Sequence, residues 1–271
     1  MSPGGAVSGA ALGAALLLSA CVSAPRDAGA GEAPASAASY LTPEALTRIA
    51  AAVPAPSADG SAEQTSDRAL SERYRVFENS DRWLLATAHA DLDPDRALQH
   101  FDCALGVRFA GSATPRLKAV FARLLHDANA AAELAKTRAF RPRPVGVDPQ
   151  RASCQRSSAA SRASPSYPSG SAAVGAAYGA AMARIAPDQA DAAGAIGHQI
   201  GVSRVVCGMH YPADAAAGEA VGRAVFEAVA ATPAFRADLA AARAELATVR
   251  AGGLTNPGCA AERAALAVAL P

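Results

Sequence analysis

Three fixed cations, one imidazole and one carboxylate stand out in this chain by type and order. Ser203-Arg204 is followed after five residues by His210 and after three more by Asp214. Lys136 and Arg143 lie upstream, with a Pro168-Ser169-Gly170 turn between them and Arg204. Arginine's planar fork holds two oxygens of a phosphate at once, and lysine adds a point charge. A turn leading into a helix contributes unpaired N–H groups and the positive end of the helix dipole. A neutral imidazole attacks phosphorus when one ring nitrogen is presented and the other is held, and Asp214, in a helix that Pro212 opens, is placed to hold it. Such a set can bind a phosphate, form a phosphohistidine and stabilise the charge on three equatorial oxygens.

Helices must position these groups. Alanine is abundant while aromatic and β-branched residues are sparse, which predicts an all-α protein. A short helix runs from Thr42 to about Ala51, and a Pro/Ser/Gly-rich stretch, 53–62, leads to the next. Asp93-Pro94 reads as an N-cap with proline at the first helical position, opening a helix that includes Phe101 and Cys103. Thr114-Pro115 repeats that signal. Leu117, Val120, Phe121, Leu124, Ala128 and Leu134 then recur at helical spacing toward Lys136. Pro142 and Pro144 prevent continuation and stiffen the backbone at Arg143. Residues 145–168 read as a loop, followed by helices from about Ser171 to Ile185, Asp188 to Val202, Pro212 to Ala230 and Thr232-Pro233 to Arg250. Gly175, Gly179, Gly218 and Gly222 allow helices to approach closely.

The net charge of +1 over 271 residues argues against binding nucleic acid by charge attraction. Only two of 25 basic residues are lysines, Lys118 and Lys136, so Lys136 stands out from an arginine background. Residues 4–20 are small and apolar and end Leu18-Ser19-Ala20-Cys21, a secretory signal that resembles a lipobox with Cys21 as the acylated residue. The stretch before it contains no Lys or Arg, and a cut after Val22-Ser23-Ala24 stays open as the soluble alternative. Residues 1–21 are thus read as the signal peptide, 22–39 as a flexible tether, 40–250 as one domain and 251–271 as a tail outside the core. Beyond the signal, no apolar run is suited to spanning a bilayer. Cys103, Cys154, Cys207 and Cys259 fit two disulfides in an exported protein, in any of three pairings, and their spacing does not suit zinc. His89, His100, His126 and His198 share no pattern and read as structural or exposed.

Taken together, the ordered blocks resemble the phosphatidic-acid-phosphatase type 2 superfamily, and within it the bacterial class A non-specific acid phosphatases. The family pattern is Lys-x6-Arg-Pro, then Pro-Ser-Gly-His, then Ser-Arg-x5-His-x3-Asp. Lys136-x6-Arg143-Pro144 and Ser203-Arg204-x5-His210-x3-Asp214 match in full, and Tyr167-Pro168-Ser169-Gly170 matches up to its last residue. The likeness extends over roughly 40–250, including Arg82-Trp83 and Phe101-Asp102-Cys103-Ala104-Leu105-Gly106. It implies a single-domain helical bundle of the acid phosphatase and vanadium haloperoxidase type, with no metal or other cofactor. The implied activity is phosphomonoester hydrolysis of small molecules. By the same resemblance Lys136, Arg143 and Arg204 bind phosphate, Ser169 and Gly170 cradle it, His210 attacks and Asp214 orients His210. The signal segment, separately, points to a bacterial periplasmic protein lipid-anchored to the outer membrane through Cys21; self-association into a homo-oligomer stays open.

The departure is Ser171, where the family has a histidine that protonates the leaving oxygen. A hydroxyl is no comparable acid near neutral pH, and loss of a positioned acid costs about 10²–10⁴-fold in rate. The expected enzyme is therefore restricted to good leaving groups, such as aryl or acyl phosphates and anhydrides. The alternative is a weakly active or inactive envelope lipoprotein that binds phosphate or a phosphorylated ligand.

Overall fold

The computed structural model describes residue 1 and residues 39–271. The signal segment, Cys21 and residues 22–38 of the expected tether lie outside the described residues. Nine helices of eight or more residues are present among them: α1 (Pro43–Ala51), α2 (Ala62–Arg73), α3 (Asp81–His89), α4 (Pro115–Lys136), α5 (Gly170–Ile185), α6 (Ala190–Val206), α7 (Pro212–Ala230), α8 (Pro233–Ala251) and α9 (Cys259–Leu266). No strand occurs among the described residues, so the chain is all-α, and no described helix is long and apolar enough to cross a membrane.

The capping signals act locally in most places. Asp93 accepts from the Asp95 N–H at 3.1 Å, and the hydroxyls of Thr42, Ser61, Ser80 and Thr232 each cap a helix start. At α4 the Thr114 side chain makes no cap. The Glu245 carboxylate of α8 reaches across and accepts from the backbone N–H groups of Arg116 and Leu117 at 2.8–2.9 Å. A carboxylate there satisfies orphan donors and faces the positive end of the dipole.

Helix α5 is the centre of the bundle, packing most extensively on α6 and α7 and then on α4. Its Tyr178 stacks on Phe121 of α4, with ring centroids 4.1 Å apart, inside the main core. Small residues set the spacing on its other sides. A Cβ at Gly179 would lie 2.9 Å from the Gly197 Cα, and a Cβ at Gly222 would lie 2.1 Å from the Ala173 carbonyl oxygen. A Cβ at Gly218 would lie 2.2 Å from the Ser169 carbonyl oxygen. Glycine on α7 therefore brings that helix, which carries Asp214, into backbone contact with the Ser169 turn. The Ser169 N–H donates to the Asp214 carbonyl at 2.9 Å.

Two disulfides resolve the open pairing: Cys103–Cys259, with Cα atoms 5.3 Å apart, and Cys154–Cys207, 4.9 Å apart. The first corrects the expectation of a C-terminal tail outside the core. Residues 259–266 form α9, Ala265 is buried, Leu266 packs on the main core, and Asn256 donates to the Asp102 carboxylate at 3.0 Å. The segment lacks a long apolar period, and the crosslink fastens it together with these contacts. Helix α6 also runs past the expected Val202 to Val206, which puts Arg204 on its last turn.

The glycine contacts give a test. Gly222→Ala forces a methyl against the Ala173 backbone and should destabilise the protein by about 1–3 kcal/mol. Gly194→Ala, on the exposed face of α6 with nothing within 4 Å of the added Cβ, should stabilise it by about 0.5–1 kcal/mol. Urea midpoints of the two variants check this, and equal shifts would contradict the packing argument.

Candidate active site

The three sequence blocks converge. Arg143 stands just before a helical turn (Pro144–Val147) whose Val145 N–H donates to the Gly208 carbonyl at 3.1 Å. Gly208, with φ at +67°, makes the left-handed turn between α6 and α7, and the Cys154–Cys207 disulfide ties this turn to the preceding loop. Met209 and His210 both donate their N–H to the Arg204 carbonyl, at 3.1 and 3.3 Å, folding the turn back onto the end of α6.

His210 is buried, and both ring nitrogens have partners. Nδ1 lies 2.8 Å from the Ser166 carbonyl oxygen, and Nε2 lies 2.9 Å from Arg143 Nη1. A carbonyl can only accept, so Nδ1 carries the hydrogen, and the Nε2 lone pair accepts from Arg143. Burial, with the Arg143 and Arg204 charges adding to it, pushes the imidazole pKa down to about 3, against the pull of Asp214. The ring is neutral in the tautomer that an attack through Nε2 requires.

The His210–Asp214 pair differs from the expectation of a direct bond. Nδ1 is 3.9 Å from Asp214 Oδ2, beyond hydrogen-bond reach, and Ser166 stands between them. Its hydroxyl donates to Oδ2 at 2.6 Å while its carbonyl takes the Nδ1 hydrogen. Asp214 Oδ2 also accepts from the Tyr211 N–H at 2.8 Å, and Oδ1 accepts from Arg141 Nη1 at 2.7 Å. Burial, the largest influence on this carboxyl, favours protonation. The neighbouring His210, Arg141 and Ser166 outweigh it and hold the pKa below the usual range.

Arg141 is buried with its guanidinium 4.2 Å over the Tyr211 ring, and it bridges Asp214 to Asp67 of α2 at 2.6 Å. Asp67 in turn accepts from the Ala213 N–H at 2.9 Å in the first turn of α7. Sequence reasoning singled out Arg143 in Arg141-Pro142-Arg143-Pro144 and passed over Arg141. The strict alternation of arginine and proline was the available signal, since two stiff extended residues can face two different partners. Nothing in sequence marked Ser166 or Asp67.

The cations fall into two kinds. Arg143 is buried and makes no ion pair; it donates to Ser164 Oγ at 3.1 Å, the Met209 carbonyl at 3.1 Å and His210. Arg204 is buried too, and its Nε and Nη1 have no hydrogen-bond partner. Burial and the nearby Arg143 lower the Arg204 pKa to about 10, so the group keeps its charge at neutral pH. An unpartnered buried guanidinium is costly unless an anion meets it. Lys136, at the end of α4, pairs with Glu133 one turn back. A Cβ built on Gly170 would lie 3.8 Å from Lys136 Nζ, so the end of α4 meets the start of α5.

At that start Ser169 is the N-cap; its hydroxyl accepts from the Ala172 N–H at 3.2 Å and is committed to the helix. Gly170 and Ser171 are the first two helical residues, with Gly170 buried and Ser171 partly buried. His126 bonds Asp127 at 3.0 Å, in the group that also holds the Tyr40 N–H. Behind the site, Arg82 of α3 donates to Ser203 Oγ at 3.0 Å and to Gln199 Oε1 at 2.9 Å, and His89 Nδ1 lies 2.9 Å from the same hydroxyl. These bonds anchor α6 one residue before Arg204. A wider cleft of about 530 Å³ between α3 and the C-terminal segment is lined by His89, Asp91, Arg96, His100 and Glu262 and contains none of the site residues.

Comparisons with known proteins identify the family. Residues 117–237 match the model of the PAP2 superfamily. An acid phosphatase of Zymomonas mobilis is 31% identical over 201 residues, which is 74% of this chain and 76% of that protein. A non-specific acid phosphatase of Providencia stuartii is 27% identical over 212 residues, 78% of this chain and 86% of that protein. A non-specific acid phosphatase of Salmonella typhimurium is 29% identical over 194 residues, 71% of this chain and 77% of that protein. With the conserved-type blocks assembled around one buried imidazole and relatives matched over most of their length, the chain belongs to the PAP2 superfamily and is similar within it to bacterial non-specific acid phosphatases.

Proposed function

We propose that the protein hydrolyses phosphate monoesters of small molecules through a covalent phosphohistidine on His210. The observation that carries this reading is the pair of buried guanidiniums without carboxylate partners, Arg143 and Arg204, beside a neutral imidazole whose Nδ1 hydrogen is fixed. Phosphate meets the charge of Arg143, Arg204 and Lys136 and the N–H groups at the start of α5. As it binds, Arg143 transfers its donor from Nε2 to a phosphate oxygen, which frees the lone pair for attack. The N–P bond forms, the P–O bond to the leaving group breaks, and the ring acquires positive charge. The Ser166 carbonyl and the Asp214 carboxylate behind it stabilise that charge. Water then attacks phosphorus and the P–N electron pair returns to Nε2. The three cations and these N–H groups meet the phosphate charge, in a reaction read as metal-independent.

Asp214 acts through Ser166 in this scheme, as a positioning residue. Ser171 makes the leaving side poorly equipped, so good leaving groups are favoured. A second reading, a phosphate-binding relative with little turnover, is favoured by Ser171 alone. Relatives that are bacterial acid phosphatases, together with the two disulfides, support export to the periplasm. Lipid anchoring through Cys21, with 22–39 as tether to the domain, is part of the same proposal and rests on the sequence of that segment.

The decisive assay compares an aryl and an alkyl phosphate with the protein as it stands, His210→Ala and Ser171→His. The aryl ester should be cleaved in the presence of chelator, His210→Ala should lose more than about 10³-fold, and Ser171→His should raise alkyl turnover more than aryl. Turnover surviving His210→Ala would overturn the mechanism. Tight phosphate binding with no turnover of either ester would establish the second reading. The pH behaviour provides an independent check. Because the folded imidazole titrates near 3, its ring ¹⁵N signals should remain those of a neutral ring from pH 8 down to 5. A histidine in water would take up its proton across that interval. For the same reason this depressed group opposes unfolding fully above the ordinary histidine range, and that contribution is lost as pH falls toward 3. A His210 titration near pH 6.5 would contradict the buried geometry.

A further inference from the structure

The leaving side of the site has a carboxyl group that the family pattern does not specify. Glu133 lies one turn before Lys136 on the same face of α4, and its carboxylate pairs with Lys136 Nζ. A Cβ built on Gly170 would lie 3.7 Å from Glu133 Oε1 and 3.2 Å from Asn129 Oδ1. Glu133 therefore sits against Gly170 at the start of α5, the residue before Ser171. Its charge is also felt at Arg143, whose protonated form it favours. About half of its side chain is exposed, so it lies at the solvent side of a site whose nucleophile is buried.

Other candidates for proton donation are engaged elsewhere. Asp67 and Asp214 are both held by Arg141, His126 is bonded to Asp127, and the Tyr167 and Tyr211 phenols are made weaker acids by burial. Resting on the phosphatase reading, we propose that Glu133 is the general acid for the leaving group, occupying the role left empty by a serine at 171.

The step uses Glu133 in its acid form, taking its proton from solvent as the phosphate monoester displaces it from Lys136. His210 Nε2 forms the N–P bond, the P–O electron pair passes to the leaving oxygen, and the Glu133 carboxyl proton transfers to it. In the second half the Glu133 carboxylate takes a proton from the water whose oxygen attacks phosphorus. The P–N pair returns to Nε2, and Glu133 is back in the acid form it had with ester bound, giving that proton to solvent when it pairs with Lys136 again. The carboxyl replaces in function what the hydroxyl of Ser171 cannot do.

The test reads turnover against leaving-group basicity. Rates for a series from 4-nitrophenyl phosphate to simple alkyl phosphates are measured for the unaltered protein, Glu133→Gln, and Glu133→Gln combined with Ser171→His. Glu133→Gln should cost the alkyl esters at least tenfold more in kcat than 4-nitrophenyl phosphate, steepening the dependence on the leaving group. Adding Ser171→His should restore most of the alkyl loss. An equal loss across the series, carried in KM, would overturn the proposal, leaving Glu133 as a group that only positions Lys136. The phosphatase reading would survive that outcome. No turnover of any ester by the unaltered protein would overturn both.

Discussion

One buried carboxylate organises the site. Asp214 receives Arg141, the Ser166 hydroxyl and the Tyr211 N–H, and its own carbonyl receives the Ser169 N–H. Through these bonds it joins four segments far apart in sequence: the Arg-Pro-Arg-Pro stretch, the turn before α5, the turn before α7 and, by way of Arg141 and Asp67, helix α2. A carboxylate this deeply buried persists because both of its oxygens meet donors and a cation is bonded to it. Truncating one partner would leave a buried charge uncompensated, so the cluster is expected to stand or fall as a unit. His210 gains its orientation from this cluster at one remove, through the two oxygens of Ser166.

The site also depends on packing that is not polar. Gly218 and Gly222 let α7 lie against the backbone of Ser169 and Ala173, and Gly208 turns the chain from α6 into α7. A larger residue at Gly218 would push Asp214 away from the turn whose serine it binds. The two unpaired nitrogens of Arg204 are tolerated within this frame because Arg82 and Ser203 fix the end of α6 from behind. The frame stores positive charge at one place, and the chemistry follows from what that charge can attract.

Much of this was legible in the sequence. Alanine content, helix-start prolines and apolar spacing gave the helices from 115 to 250 with ends accurate to a few residues. Lys136, Arg143, Arg204, His210 and Asp214 were visible as types at fixed spacings within their blocks, and the structure brings the three blocks together near the start of α5. Contacts set by tertiary approach were not visible. Ser166 looks like any serine in a Ser/Pro loop, Asp67 lies in a polar helix without a motif, and Glu245 caps a helix more than a hundred residues away. The direct His210–Asp214 bond was a reasonable inference from spacing along a helix. It fails because His210 lies in the turn before α7, not on the helix, and the ring points at the Ser166 carbonyl. The C-terminal helix was missed because a crosslink and a few apolar and polar contacts hold it, rather than a long apolar period.

The central claim is that His210 forms a covalent bond to phosphorus. The most direct measurement is rapid quenching during turnover of 4-nitrophenyl phosphate, into alkali to preserve a phosphoramidate, followed by mass mapping of the phosphorylated peptide. The account predicts one phosphoryl group on the peptide containing His210, lost on brief acid treatment and absent in His210→Ala. A phosphoryl group on another residue, or steady turnover with none on His210 as chemistry is slowed, would contradict it.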